Sequence, residues 1–97
     1  DQCLPITSKV YINNQVPILA RVVKCLGIRD VDYVDVIIKH GDEVIELKKV
    51  KLLRSVKGGA SRQFTIPREV RDRYGIRPLD RIEIIEVRPL KDRGDRG

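Results

Sequence analysis

The sequence has no methionine and no tryptophan, one histidine, two cysteines, and aromatic residues at only 4%. Each scarcity excludes something. So few aromatics leave no platform for stacking unpaired bases, which needs exposed Phe, Tyr or Trp. His40 with the distant Cys3 and Cys25 cannot supply enough conventional ligands for a structural zinc site, so no metal or cofactor is expected. The cysteines are too few for a disulfide scaffold and lie outside any Cys-x-x-Cys spacing. They read as reduced thiols of a cytoplasmic protein, with Cys25 filling core. A Cys3–Cys25 bridge is the alternative for a hyperthermophile, towards which the charge-rich, methionine-free composition leans. Apolar runs are short, as in Val36-Ile37-Ile38. No membrane-crossing helix fits and no hydrophobic signal segment opens the chain, so no membrane partner is expected. The missing methionine suggests a trimmed chain or a piece of a longer one. No P-loop, G-x-G-x-x-G or nucleophile–base arrangement appears, and an enzyme is not expected.

What remains is a chain of 97 residues, enough for one domain with one core. Its 41% apolar and 35% charged content describes a soluble globular protein. The formal net charge is +6, and it is unevenly spread. Residues 1–48 hold six basic and seven acidic side chains, a net of −1; residues 49–97 hold fourteen and seven, a net of +7. A cationic half favours a polyanionic partner, nucleic acid first. A solvated thermostable surface is the plainer reading.

An ungapped internal repeat appears at an offset of 48 residues. Asn14-Gln15-Val16-Pro17-Ile18 aligns with Arg62-Gln63-Phe64-Thr65-Ile66, and Leu26-Gly27-Ile28-Arg29 with Tyr74-Gly75-Ile76-Arg77. Val31-Asp32 then aligns with Leu79-Asp80, and Val34-Asp35-Val36-Ile37 with Ile82-Glu83-Ile84-Ile85. The two repeats run over about 8–50 and 51–88, followed by a flexible basic tail at 89–97. In the second repeat, Gln63 to Ile66 reads as a short strand. Pro67 suits the first turn of a helix, Gly75 its left-handed stop, and Arg81 to Val87 a second strand. In the first repeat, Leu19, Val22, Val23 and Leu26 form an apolar helix face. Tyr33 to Lys39 turns at His40-Gly41-Asp42 into the strand Glu43 to Leu47. Lys9 to Ile12 reads as a strand entering the first unit, and Leu52 to Val56 as its counterpart. The carboxylates Asp32/Asp80 and Asp35/Glu83 recur at repeat-equivalent places and read as structural. A unit of about 45 residues cannot close a core alone, so the two units must share one.

The stretch from Ser61 to Ile84, with Thr65-Ile66-Pro67, a charged helix, Tyr74-Gly75-Ile76 and Pro78-Leu79-Asp80 before a strand, resembles the AbrB/SpoVT family. Asn14 to Ile38 covers the same span more weakly. The resemblance implies a mainly β fold, a swapped-hairpin (double-split) β-barrel with one short helix per repeat. It also implies an intrachain pseudo-dimer, because ordinary members carry one half per chain and dimerise. It further implies a DNA-binding transcriptional regulator or architectural protein of prokaryotic, archaeal type. The alternative is an antitoxin-like or regulatory protein-interaction module, with a toxin or a fused regulatory domain as partner. A homodimer of two such pseudo-dimers is compatible with either. The sequence departs from the family at Arg62-Gln63, where Gly-Arg is usual, at Arg71-Asp72-Arg73, and at Leu19 and Val23. The first half therefore reads as a structural partner.

The candidate contacts to double-stranded DNA are Arg54, Lys57, Arg62, Arg68, Arg71 and Arg73. Arg68–Asp72 and Glu69–Arg73 form opposite-charge pairs four residues apart, which leaves Arg71 without an acidic neighbour on the helix. Arg71 also matches the family's helix arginine, so it is the first candidate phosphate or guanine contact. Arg62, Lys57 and Arg54 add charge from the same end of the unit, around the glycines of Gly58-Gly59. Five or six engaged phosphates predict a slope of roughly −5 for log K against log salt. The short helix predicts modest sequence specificity that depends partly on DNA shape.

Overall fold

The computed structural model describes residues 3–54 and 59–90. In chain order it runs β1 (Ile6–Lys9), β2 (Gln15–Ile18), α1 (Ala20–Leu26), β3 (Tyr33–His40), β4 (Glu43–Lys51), β5 (Leu53–Arg54), β6 (Arg62–Thr65), α2 (Arg68–Tyr74) and β7 (Arg81–Pro89). The described residues are mainly β, with two short helices and two antiparallel sheets. One sheet has the order β1-β7-β3-β4 and the other β2-β6-β5. Among the described residues the strands do not form one closed barrel ladder.

The local rules explain most elements. In β3 the alternate residues Val34, Val36 and Ile38 are buried, while Asp35 and Lys39 take the other face. His40 pairs with Glu43, so Gly41 and Asp42 form the two-residue hairpin turn, with Gly41 at φ 62°. Each helix ends on a glycine in the left-handed region, Gly27 at φ 69° and Gly75 at φ 66°. A side chain there would be strained.

Several boundaries differ from the sequence reading. The first strand is Ile6–Lys9 rather than Lys9–Ile12; Val10 is buried just after it, and Tyr11 and Ile12 lie exposed in the turn to β2. Leu19 is not part of the helix's buried face. It occupies the N-cap of α1 and is 54% exposed, while Val22 and Val23 point into the core. Pro67 likewise caps α2 rather than opening its first turn. β4 and β7 run longer than expected, to Lys51 and Pro89, because β3 lies between them and pairs with both.

The expected free thiols are corrected. Cys3 and Cys25 are joined in a disulfide, with Cα atoms 6.2 Å apart. Cys25 lies on the exposed side of α1 and not in the core. The bond ties the segment before β1 to that helix.

The pairing of β2 with β6 maps onto itself under the 48-residue offset. Gln15 faces Thr65 and Pro17 faces Gln63, which are exchanged by the offset, and Val16 faces its own equivalent Phe64. The buried residues recur in the same way: Val16 and Phe64, Ile18 and Ile66, Ile28 and Ile76, Val34 and Ile82, Val36 and Ile84 all belong to one core. At roughly 25 cal/mol per Å² of apolar surface, this shared burial is the largest favourable contribution to folding.

One stretch breaks the offset. Val10 N–H donates to Asp80 O at 2.9 Å, and Leu52 N–H donates to Asp32 O at 2.8 Å. Asp32 and Asp80 are 48 apart but Val10 and Leu52 only 42, so six extra residues separate Leu52 from β6. They extend the β5–β6 connection relative to the tight turn between β1 and β2, where Tyr11 N–H donates to Gln15 O at 2.8 Å. In β4 a bulge opposite Val34 and Val36 places Lys49 at φ 49°. Asp35 Oδ1 accepts the Lys49 N–H at 2.8 Å there.

Candidate nucleic-acid interface

Arg62 does not reach the surface. It is 2% exposed, and its guanidinium donates to five main-chain carbonyls. Nη1 donates to Ile28 O and Arg29 O, Nη2 to Val31 O and Leu52 O at 2.9 Å each, and Nε to Leu53 O at 3.4 Å. The planar fork suits a ring of carbonyls that a lysine could not satisfy. Burial lowers its pKa from the usual value, and neighbouring Arg54 acts in the same sense; Asp32 and Asp30 oppose them. The expectation that Arg62 contacts DNA is therefore corrected: it holds the loop after α1 to the start of β5. Strand alternation carried this signal, since Arg62 has the same parity as the inward Phe64 and Ile66.

The remaining arginines of the second repeat behave differently. α2 buries none of its residues completely. Val70 and Tyr74 pack partly against the core, which leaves the other faces outside. Arg68 and Asp72 form the expected pair, Nε to Oδ2 at 3.8 Å, with both side chains largely in solvent. Exposed pairs of this kind contribute only tenths of a kcal/mol. The Glu69–Arg73 pair does not close within 4.0 Å; the Arg73 guanidinium instead lies 5.9 Å from the Tyr74 ring centre. Arg71 donates Nε–H to Ile66 O at 3.0 Å, which anchors its base to the end of β6. At 100° per residue, Arg68 and Arg71 share one side of the helix, while Arg73 is turned about 200° from Arg71.

Arg54 is exposed and faces Arg62 across β5–β6. It therefore stands at the opposite end of β6 from Ile66, about 13 Å along the strand at 3.3 Å per residue. Arg54 and α2 are on one unit but are not brought together. Lys57, Gly58 and the basic tail from residue 91 onward lie outside the described residues.

A polar contact that the sequence reading did not foresee joins two loops. His40 Nε2–H donates to Asp80 Oδ2 at 2.9 Å, and the same oxygen accepts the Arg77 N–H at 2.9 Å. The Arg77 N–H, then His40, hold the Asp80 carboxyl below the usual carboxylate range. Nothing in the local sequence links positions 40 and 80; the hairpin tip meets the turn before β7 only because β3 and β7 are neighbours. Among the described residues no group of three or more His, Cys, Asp or Glu side chains could hold a metal ion. No helix described is long and apolar enough to cross a membrane.

No family model, curated protein or solved structure matches the chain.

Proposed function

We propose that the protein binds duplex DNA as a transcriptional regulator or architectural protein, through Arg68 and the half-buried Arg71 on one side of α2. Arg73, turned away from Arg71 on the same helix, and Arg54, at the far end of β6, lie off this surface. The observation that carries this reading is the placement of α2. The helix stands at the surface with two arginines on one side, one of them anchored at its Nε and thereby pre-oriented. The charge imbalance between the halves supports the same reading. With Arg62 committed internally and Arg54 and Arg73 placed elsewhere, two contacts remain on this surface among the described residues. The salt slope is then roughly −2 rather than −5.

The AbrB/SpoVT resemblance belongs to the same proposal. The self-equivalent β2–β6 register and the shared core support an intrachain pseudo-dimer of swapped hairpins, in which one chain does what two ordinary subunits would do.

The test is a fluorescence anisotropy titration of a random-sequence duplex across a salt series. The Arg68→Ala/Arg71→Ala variant should bind more weakly, and its salt slope should be shallower by about 2. Because neither side chain is fully buried, the fold should survive. Affinity and slope equal to those of the unaltered protein would remove α2 as the binding element.

A further inference from the structure

The two sheets leave an open seam. Among the described residues β1 is the edge strand of the larger sheet and β2 the edge strand of the smaller one, and no ladder joins them. Pro17 has no N–H to give to a neighbour. The polar link across the seam is the Ser8 hydroxyl, which donates to Pro17 O at 3.2 Å. Between the edges lies a groove of about 390 Å³, with β1 as one wall and Pro17, Leu19 and Arg21 on the other side.

The chemistry of this groove is one-sided. Among the described residues Lys9 and Arg21 are its charged ones, and no acidic side chain lines it. Tyr11 and Leu19, 52% and 54% exposed, supply apolar surface beside them. The opposite edge of the larger sheet, β4, carries exposed Lys48 and Lys49 and a bulge, devices that discourage strand addition. β1 has no bulge in its pairing. The Cys3–Cys25 disulfide joins the segment before β1 to α1, the element that carries Arg21 one turn earlier. The two walls are thereby held at a set separation.

We propose that this seam is a docking site for an extended acidic peptide from a partner protein, which adds to β1 as an edge strand. Main-chain hydrogen bonds to β1 supply affinity, and alternate side chains supply specificity. The apolar positions rest on Tyr11 and Leu19, and carboxylates meet Lys9 and Arg21. This site shares no residue with the proposed DNA surface on α2, so either can stand without the other.

The experiment screens the whole protein against a display library of hexapeptides in which acidic and apolar positions alternate, beside a matching library with lysine in place of the acids. Members of the acidic library should be enriched and the lysine library should not. The strongest acidic peptide, made synthetically, should shift the backbone amide signals of Thr7 and Lys9. It should bind Lys9→Glu/Arg21→Glu roughly tenfold more weakly, because reversal turns attraction into repulsion. Thermal unfolding of the variant reports that it is folded, as both side chains are exposed. Equal enrichment of the two libraries, no enrichment, or amide shifts confined to α2 would each overturn the proposal. So would a variant that loses duplex DNA binding but keeps the peptide, which would make the seam a nucleic-acid surface.

Discussion

Arg62 and Asn14 occupy equivalent positions beside the β2–β6 pairing, but only Arg62 is long enough to bond the loop that follows the neighbouring helix. Its guanidinium satisfies Ile28, Arg29 and Val31 carbonyls in the first repeat. Asn14 cannot do the same for the corresponding loop, residues 76–79, and its buried Oδ1 accepts no hydrogen bond among the described residues. That loop turns differently. Leu79 N–H donates to Val10 O at 2.6 Å, whereas its counterpart Val31 donates to Ile28 O at 3.3 Å. Leu79 takes φ 76° and is 64% exposed, while Val31 packs against the core.

Replacing Arg62 should therefore damage the fold rather than only a surface. Arg62→Ala strands several buried carbonyls and is expected to lower stability by about 3–5 kcal/mol in denaturant unfolding. Arg62→Lys should recover only part of this, since an ammonium lacks the fork. A loss within 0.5 kcal/mol for the alanine variant would contradict the role assigned to the guanidinium.

Leu79 sets up the opposite outcome. A leucine in the left-handed region costs about 1–2 kcal/mol, and this one buries little surface in return. Glycine adopts the same φ freely, although it loses more chain entropy on folding. Leu79→Gly should raise the unfolding free energy by up to about 1 kcal/mol, measurable as a higher denaturation midpoint at unchanged m-value. A decrease would show that the leucine side chain contributes packing that outweighs its strain.

The Asp80 carboxylate links stability to acid. Its pKa is depressed in the folded protein, so its contribution is present above the unfolded value near 3.9 and fades as pH falls through the lower folded value. Asp80→Asn keeps an acceptor for the Arg77 N–H but removes the charge. The variant should be less stable than the parent by about 1 kcal/mol at neutral pH. The gap should close as pH falls through the depressed folded value, where the parent carboxyl also becomes neutral. A gap that is constant with pH would exclude this linkage.

The disulfide closes a sequence separation of 22 residues. Chain-entropy arguments assign such a loop about 3 kcal/mol. Cys3→Ser/Cys25→Ser should lower the unfolding free energy by that order without altering DNA affinity, because the bond joins the segment before β1 to α1 and not to α2. Reduction of the parent protein should reproduce the loss.

The repeat, the strands and helices in their order, the hairpin at Gly41 and the glycine stops after both helices could be read from residue pattern. Each depends on interactions within a few positions: apolar period, turn chemistry and left-handed backbone. The common core was also legible, because Val16, Ile18, Val34 and Val36 have apolar counterparts 48 residues on. The exposed Arg68 and Arg73 of α2 followed from helical spacing, whereas Arg71 is half-buried with its Nε–H given to Ile66 O. Arg62, Cys25 and Leu19 did not follow, because charge, thiol and apolar character alone say nothing about what surrounds them. Arg62 was drawn inside by carbonyls from two distant loops, Cys25 was met by Cys3 from before β1, and Leu19 was left outside at a helix cap. His40 and Asp80 met because β3 and β7 lie side by side, and a seam opened at Pro17 because that residue has no N–H with which to join the sheets. Those outcomes depend on chain segments far apart in sequence competing for the same hydrogen bonds and the same space, a competition that exists only once the whole chain has folded.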